Sequence, residues 1–139
     1  MQTKDFLRQS ALFGQLSDRE LDDVMATGRE RSFANGTAMV SEGDPGARAF
    51  YLILEGTAQA RKGSVVLAEF GPGDYFGEMA LLLDDTPRTA DVVATGDTRC
   101  LVMTQWDFRA LLRGHPEFGA KMMTELAQRL RDTDRALSE

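Results

Sequence analysis

Apolar and polar positions change rhythm twice along this chain and divide it into three stretches. In the first, from Thr3 to about Gly28, Phe6, Leu7, Leu12 and Phe13 mark an amphipathic helix ending at Gly14, and Leu21, Val24 and Met25 supply a second helical stripe. Between them, Ser17-Asp18-Arg19-Glu20 reads as a capping box, because a serine hydroxyl and a glutamate three residues on satisfy backbone donors at a helix start. From about Arg31 to Met103 the period shortens to two. Phe50, Leu52 and Leu54 alternate with Tyr51, Ile53 and Glu55, so at least one of Phe50 and Tyr51 faces a core. Val65-Val66-Leu67-Ala68 and Leu101-Val102-Met103 are further apolar runs, and glycine-bearing turns such as Asn35-Gly36, Glu55-Gly56, Lys62-Gly63 and Gly71-Pro72-Gly73-Asp74 separate them. Short strands spaced roughly 8–12 residues apart predict a sandwich or barrel.

The third stretch returns to helical spacing. Thr104 is placed to cap a helix carrying Trp106, Phe108, Leu111 and Leu112, with Trp106 and Phe108 as core. His115-Pro116 opens another helix, proline suiting its first position, and no chemistry is expected of His115. Met123, Leu126, Leu130, Thr133 and Leu137 then form one seam with a single polar member, flanked by Phe118 and Met122. Two roles stay open for that seam: packing on its own chain or against a second copy.

At 139 residues and 42 % hydrophobic, the chain has the size and apolar content of one folded domain. Its net charge of −6 argues against nucleic-acid partners, which need basic surface, but not against a small anion held in a locally positive pocket. Cys100 is the one cysteine, which excludes an internal disulfide, and is expected to be a small buried hydrophobe. His115 is the one histidine, so no metal site of several histidines is expected. The N-terminus has no signal-peptide core, and the longest apolar runs fall far short of the roughly 20 residues of a membrane span. A soluble, cytoplasmic protein with no membrane partner is expected.

One segment breaks the strand pattern. Gly77-Glu78-Met79-Ala80-Leu81-Leu82-Leu83 is rich in helix formers inside a strand-rich region. Gly77 permits a tight turn and close ligand approach, and the helix it opens offers free N–H groups to an anion. Glu78 in the first turn can accept hydrogen bonds from hydroxyls, and the turn Asp84-Asp85-Thr86-Pro87 can return Arg88, whose planar fork suits a phosphate, over the helix start. An anion site beside a hydroxyl acceptor fits a sugar phosphate. Asp84 and Asp85 have no nucleophile or base partner nearby, so no catalytic residue is expected.

Here the chain resembles the cyclic-nucleotide-binding domain family, which includes catabolite activators, regulatory subunits of cAMP-dependent kinase and cyclic-nucleotide-gated channels. The family's phosphate-binding cassette reads F-G-E, an aliphatic residue, a small residue, L, then a spacer and an arginine followed by a small residue and A. This chain reads Phe76-Gly77-Glu78-Met79-Ala80-Leu81, then Arg88-Thr89-Ala90. The loop Glu42-Gly43-Asp44-Pro45-Gly46, the strand after it and the approach Gly71-Pro72-Gly73-Asp74 match as well.

The resemblance implies an eight-stranded antiparallel β-roll of jelly-roll type in a single domain. Helices would occupy residues 1–30, the roll 31–103 with the cassette at 76–90, and C-terminal helices 104–139. It implies that Glu78 holds the ribose 2′-hydroxyl and Arg88 the cyclic phosphate, and that backbone N–H groups of Gly77, Ala80 and Thr89 line them, with Met79 and Ala90 in the same binding stretch. Thr89 would lie near the base, and Thr133 falls about where activators contact adenine. The ligand would be cAMP ahead of cGMP, with no other cofactor and no metal. Binding would draw the cassette inward and repack the C-terminal helices as a lid, making the domain a sensor and not an enzyme. The chain ends where the activators begin a helix-turn-helix domain, so no DNA-reading element is expected. The output would then pass to a second copy through the C-terminal helix or to an effector protein. The alternatives are a degenerate roll kept as an interaction scaffold, and a regulatory fragment of a larger channel, transporter or kinase.

Overall fold

The computed structural model describes residues 2–40, 49–77 and 91–138; at 133 and 136–138 the description covers the backbone alone. Among the described residues, helices α1 (Thr3–Gln9) and α2 (Asp18–Thr27) precede eight strands. These are β1 (Arg29–Phe33), β2 (Ala38–Val40), β3 (Ala49–Glu55), β4 (Ala58–Lys62), β5 (Val65–Phe70), β6 (Tyr75–Phe76), β7 (Asp91–Ala94) and β8 (Thr98–Thr104). Helices α3 (Gln105–Gly114) and α4 (Pro116–Ser138) follow.

The strands form two four-stranded sheets, β1-β8-β3-β6 and β2-β7-β4-β5, and every pairing is antiparallel. The described roll runs from Arg29 to Thr104, slightly wider than the 31–103 expected from the pattern.

The first sheet is the middle layer. Successive side chains of a strand point to opposite faces, and along β3 both faces are covered. Phe50, Leu52 and Leu54 join the helices' core with Leu101 and Met103, while Tyr51 and Ile53 enter the space between the sheets with Phe33, Val92 and Cys100. Both Phe50 and Tyr51 are therefore buried. Aromatic rings tie the helices in: Phe50 of β3 stacks on Phe108 of α3 at 4.8 Å between centroids, and Phe13, in the α1–α2 connection, meets Phe118 of α4 at 5.0 Å. Such contacts add roughly 0.5–1.5 kcal/mol each beyond the area they bury.

The capping box is present. Ser17 Oγ accepts from the Glu20 N–H at 3.2 Å, and Glu20 Oε1 accepts from the Ser17 N–H at 2.8 Å. That second bond, chiefly, holds the Glu20 carboxyl below its ordinary range. Thr104 caps α3 by accepting from the Asp107 N–H at 3.2 Å.

Several expectations need correction. The first helix stops at Gln9, not Gly14, because Ser10 Oγ donates back to the Leu7 carbonyl at 2.8 Å and accepts from the Phe13 N–H, turning the chain while Leu12 and Phe13 stay buried. Trp106 is not core: it lies 68 % exposed, because α3 turns Phe108 and Leu111 inward instead. The Val65–Leu67 run forms the strand expected of it, and it is exposed at the edge of the second sheet. His115 is more than a helix start: its Nδ1 meets the Glu20 carboxylate, tying the α3–α4 junction to the start of α2. The α4 seam divides: Phe118 and Met122 are buried and Leu126 packs against them, while Met123 and Leu130 are exposed. The Glu42–Gly46 loop lies outside the described residues.

Cys100 is fully buried between the sheets, as expected of a small hydrophobe. Burial pushes its thiol up to about 12.

Candidate functional site

The strand that leads into the Phe76–Ala90 segment is fastened before it arrives. Asp74 closes the preceding turn by accepting from the Gly71 N–H at 2.8 Å. The Gly73 N–H donates to the Ile53 carbonyl at 2.8 Å, and the Ile53 N–H donates to the Asp74 carbonyl at 2.9 Å. Pairing with β3 continues at Leu52–Tyr75 and Tyr51–Phe76.

Because neighbours on a strand face opposite ways, Tyr75 and Phe76 enter different cores. Phe76 points between the sheets, stacked on Tyr51 at 4.8 Å with 8° between the rings, and 5.2 Å from Phe70. Tyr75 points to the helices, 5.4 Å from Phe50. Gly77 follows with φ of +96°, a conformation side-chain-bearing residues rarely adopt.

On the helix side, Tyr75 meets α4. Its buried hydroxyl donates to Glu125 Oε2 at 2.9 Å. The Arg129 guanidinium lies over the same ring at 4.4 Å, and its Nη2 donates to the Tyr75 carbonyl at 3.4 Å. A cation on a ring face is attracted by the ring quadrupole, by roughly 0.5–1 kcal/mol at an exposed site. Reading the sequence alone missed Glu125 and Arg129. The signal available was their spacing, four apart on one side of a helix, and a hydroxyl-bearing aromatic two residues before Gly77.

Of the residues expected to bind ligand, Gly77 is placed at the end of β6. Glu78, Met79, Ala80, Arg88, Thr89 and Ala90 lie outside the described residues. The backbone of Thr133 lies on α4, four residues beyond Arg129. Strand and helix thus bring the neighbourhoods of Gly77 and Thr133 toward each other through Tyr75 and Arg129. Among the described residues, none lining the depressions of about 380 and 360 Å³ is Gly77; the first runs along Ser32, Glu55 and Arg99, and the second along Thr57, Gln59 and Thr95. No group of three or more His, Cys, Asp or Glu is disposed to hold a metal among those residues, and no described helix is long and apolar enough to cross a membrane.

Two antiparallel four-stranded sheets among the described residues, helices packed on one of them, and a strand that ends at a positive-φ glycine define a β-roll architecture. The model of the cyclic nucleotide-binding domain matches residues 30–115, more than half of the chain, and the chain belongs to that family. The cAMP-dependent protein kinase regulatory subunit of Hypocrea atroviridis is 36 % identical over 109 residues, 78 % of this chain and 23 % of that protein. The solved structure of the Thermus thermophilus catabolite activator protein is 34 % identical, with a TM-score of 0.80 over 93 % of this chain and 62 % of that one. The regulatory domain of Toxoplasma gondii PKA, solved with cAMP, is 32 % identical with a TM-score of 0.68 over 78 % of this chain and 42 % of that one. The chain therefore spans less than two thirds of each of these proteins. The family is a ligand-binding regulatory module and not a catalytic one.

Proposed function

We propose that residues 1–139 form one sensor domain that binds a cyclic nucleotide, cAMP ahead of cGMP, and transmits binding through α4. The observation that carries this reading is the family match across residues 30–115, which contains the whole Phe76–Ala90 segment with Glu78 and Arg88 both in place. The T. gondii domain solved with cAMP and the H. atroviridis subunit, named for cAMP dependence, support the choice of nucleotide.

In this reading Arg88 pairs with the cyclic phosphate and Glu78 accepts from the ribose hydroxyl. Backbone N–H groups of Gly77, Ala80 and Thr89 complete the cradle, with Met79 and Ala90 flanking it and Thr133 toward the base. Paired charge at the phosphate and an acceptor at the hydroxyl is what a sugar phosphate needs. The ligand acts through its different affinity for the two positions of α4. The domain has no catalytic role and no metal, and works in the cytoplasm as a regulatory module.

Met123 and Leu130 favour a second copy as partner. Seven residues apart, they lie on one side of α4, and they are 71 % and 65 % exposed. Sedimentation with and without cAMP tests this: a monomer under both conditions rules out pairing and leaves an effector protein as the receiver.

Calorimetric titration of cAMP and cGMP, into protein unfolded and refolded to strip carried ligand, tests the main reading. One-to-one binding is expected, with Arg88→Ala abolishing it. No binding of either nucleotide refutes the sensor and favours an interaction scaffold.

A further inference from the structure

We propose that Tyr75, Glu125 and Arg129 form a latch that holds α4 onto the end of β6, so that α4 and the stretch from Tyr75 to Gly77 move together; its effect on ligand rests on the function proposed above. Tyr75 is 3 % exposed, yet carries a hydroxyl, and its partner is a carboxylate on another element, Glu125 at 2.9 Å. A buried hydroxyl aimed at a charged acceptor across an element boundary is a directional contact that packing alone does not require. Arg129, one turn further along α4, grips the same residue twice, over its ring at 4.4 Å and at its carbonyl at 3.4 Å.

The position of Tyr75 gives these contacts their consequence. One residue, Phe76, separates it from Gly77, whose φ of +96° turns the chain out of β6. Its ring is wedged against Phe50 while its backbone pairs with Leu52. A rotation of α4 therefore pulls on the ring, the hydroxyl and the carbonyl together, one residue before the Phe76–Tyr51 pair that ends the strand at Gly77. Conversely, α4 cannot leave the roll without giving up all three contacts. The latch favours the docked position of α4, the position in which the helix can cover a bound nucleotide. Tyr75, Glu125 and Arg129 are positioning residues in this scheme; none of them is assigned a contact with the ligand.

The test is a double-mutant cycle with Tyr75→Phe, which keeps the ring beneath Arg129, and Glu125→Ala. The main readout is amide hydrogen exchange in the ligand-free protein over residues 118–132 and at Phe76 and Gly77. Amides of β3 and β8 and the denaturation midpoint serve as references. Loss of one net hydrogen bond is expected to speed exchange on α4 and at Gly77 by about three- to tenfold. The double variant should be no faster than either single variant, and β3 and β8 should be unchanged. Release of a fluorescent cAMP analogue should quicken by a similar factor. Unchanged α4 exchange, additive single effects, or equal acceleration through β3 and β8 each overturn the latch, the last because it reports general loosening. Faster α4 exchange with Gly77 unmoved, or with analogue release unmoved, overturns the coupling. If the unmodified protein binds no nucleotide, the proposed function fails by itself and the exchange data still decide the latch.

Discussion

Replacing Gly77 by alanine asks how much the turn out of β6 matters, and Gly36→Ala supplies its control. Both glycines have positive φ, +96° at Gly77 and +88° at Gly36, and a Cβ at Gly36 would meet nothing within 4 Å. Holding a side-chain-bearing residue in such a conformation costs about 1–3 kcal/mol. Against that, alanine narrows the unfolded ensemble and returns about 0.4–1 kcal/mol. A net loss of about 1–2 kcal/mol follows at each position. The two should differ in where the loss appears. Gly36 sits in a turn between β1 and β2, remote in sequence from the cassette, so its whole loss should fall on stability. At Gly77 the chain can relieve strain by moving the Phe76–Ala90 segment, at the expense of ligand geometry. The Gly77 variant should therefore share its loss between stability and cAMP affinity, up to roughly 5–30-fold in Kd if all of it falls on binding. Urea denaturation of the ligand-free protein and calorimetric titration of cAMP measure the two shares. If Gly77→Ala lowers affinity no more than Gly36→Ala does, the turn does not position the site and the reasoning fails.

Three further predictions rest on the described contacts. The Cys100 thiol, buried and pushed up to about 12, should resist iodoacetamide at pH 8 in folded protein and react readily in guanidinium. Because its folded pKa lies above the unfolded one, the stability it contributes is complete below pH of about 9 and lost as pH rises toward about 12; Cys100→Ala should flatten that alkaline loss. Thr98→Val should cost about 1–3 kcal/mol in chemical denaturation despite equal size, since the Thr98 hydroxyl accepts from the Thr57 N–H at 3.2 Å and its loss orphans that donor. Ser17→Ala removes the cap that accepts from the Glu20 N–H and should cost about 1 kcal/mol, most visible as faster amide exchange in the first turn of α2.

The elements that the sequence made legible were those governed by neighbours along the chain. A capping box involves residues three apart, so Ser17 and Glu20 could be paired without any fold. The same holds for the Thr104 cap, and for Gly77, where only glycine takes φ of +96° freely. Strand alternation in β3 showed that a core lay on one side, but not that a second lay on the other. Covering both faces needs the helices to come back over the first sheet, which is a fact about distant chain. Trp106 and Val65–Leu67 show the converse. Trp106 was expected in the core, but exposure depends on whether another layer arrives, and both Trp106 and the β5 edge at Val65–Leu67 stay open to solvent.

For the proposed site, the residue types along the chain suggested a chemistry, and tertiary structure decided which elements meet beside it. Glu78, Arg88 and the glycine before them are close in sequence, and their residue types state an anion site beside a hydroxyl acceptor before any coordinates are considered. Which helix packs on the strand leading to that segment was not legible. Tyr75 and Glu125 are fifty residues apart, and nothing local to either one announces the other. Their hydroxyl–carboxylate bond exists only because β3 aligns Tyr75 toward the helical layer and the Phe118–Met122 side of α4 packs down on it. Local backbone preferences and short-range hydrogen bonds act over a few residues and can be read directly. Contacts between elements depend on how whole layers bury their apolar faces, a property of the assembled molecule.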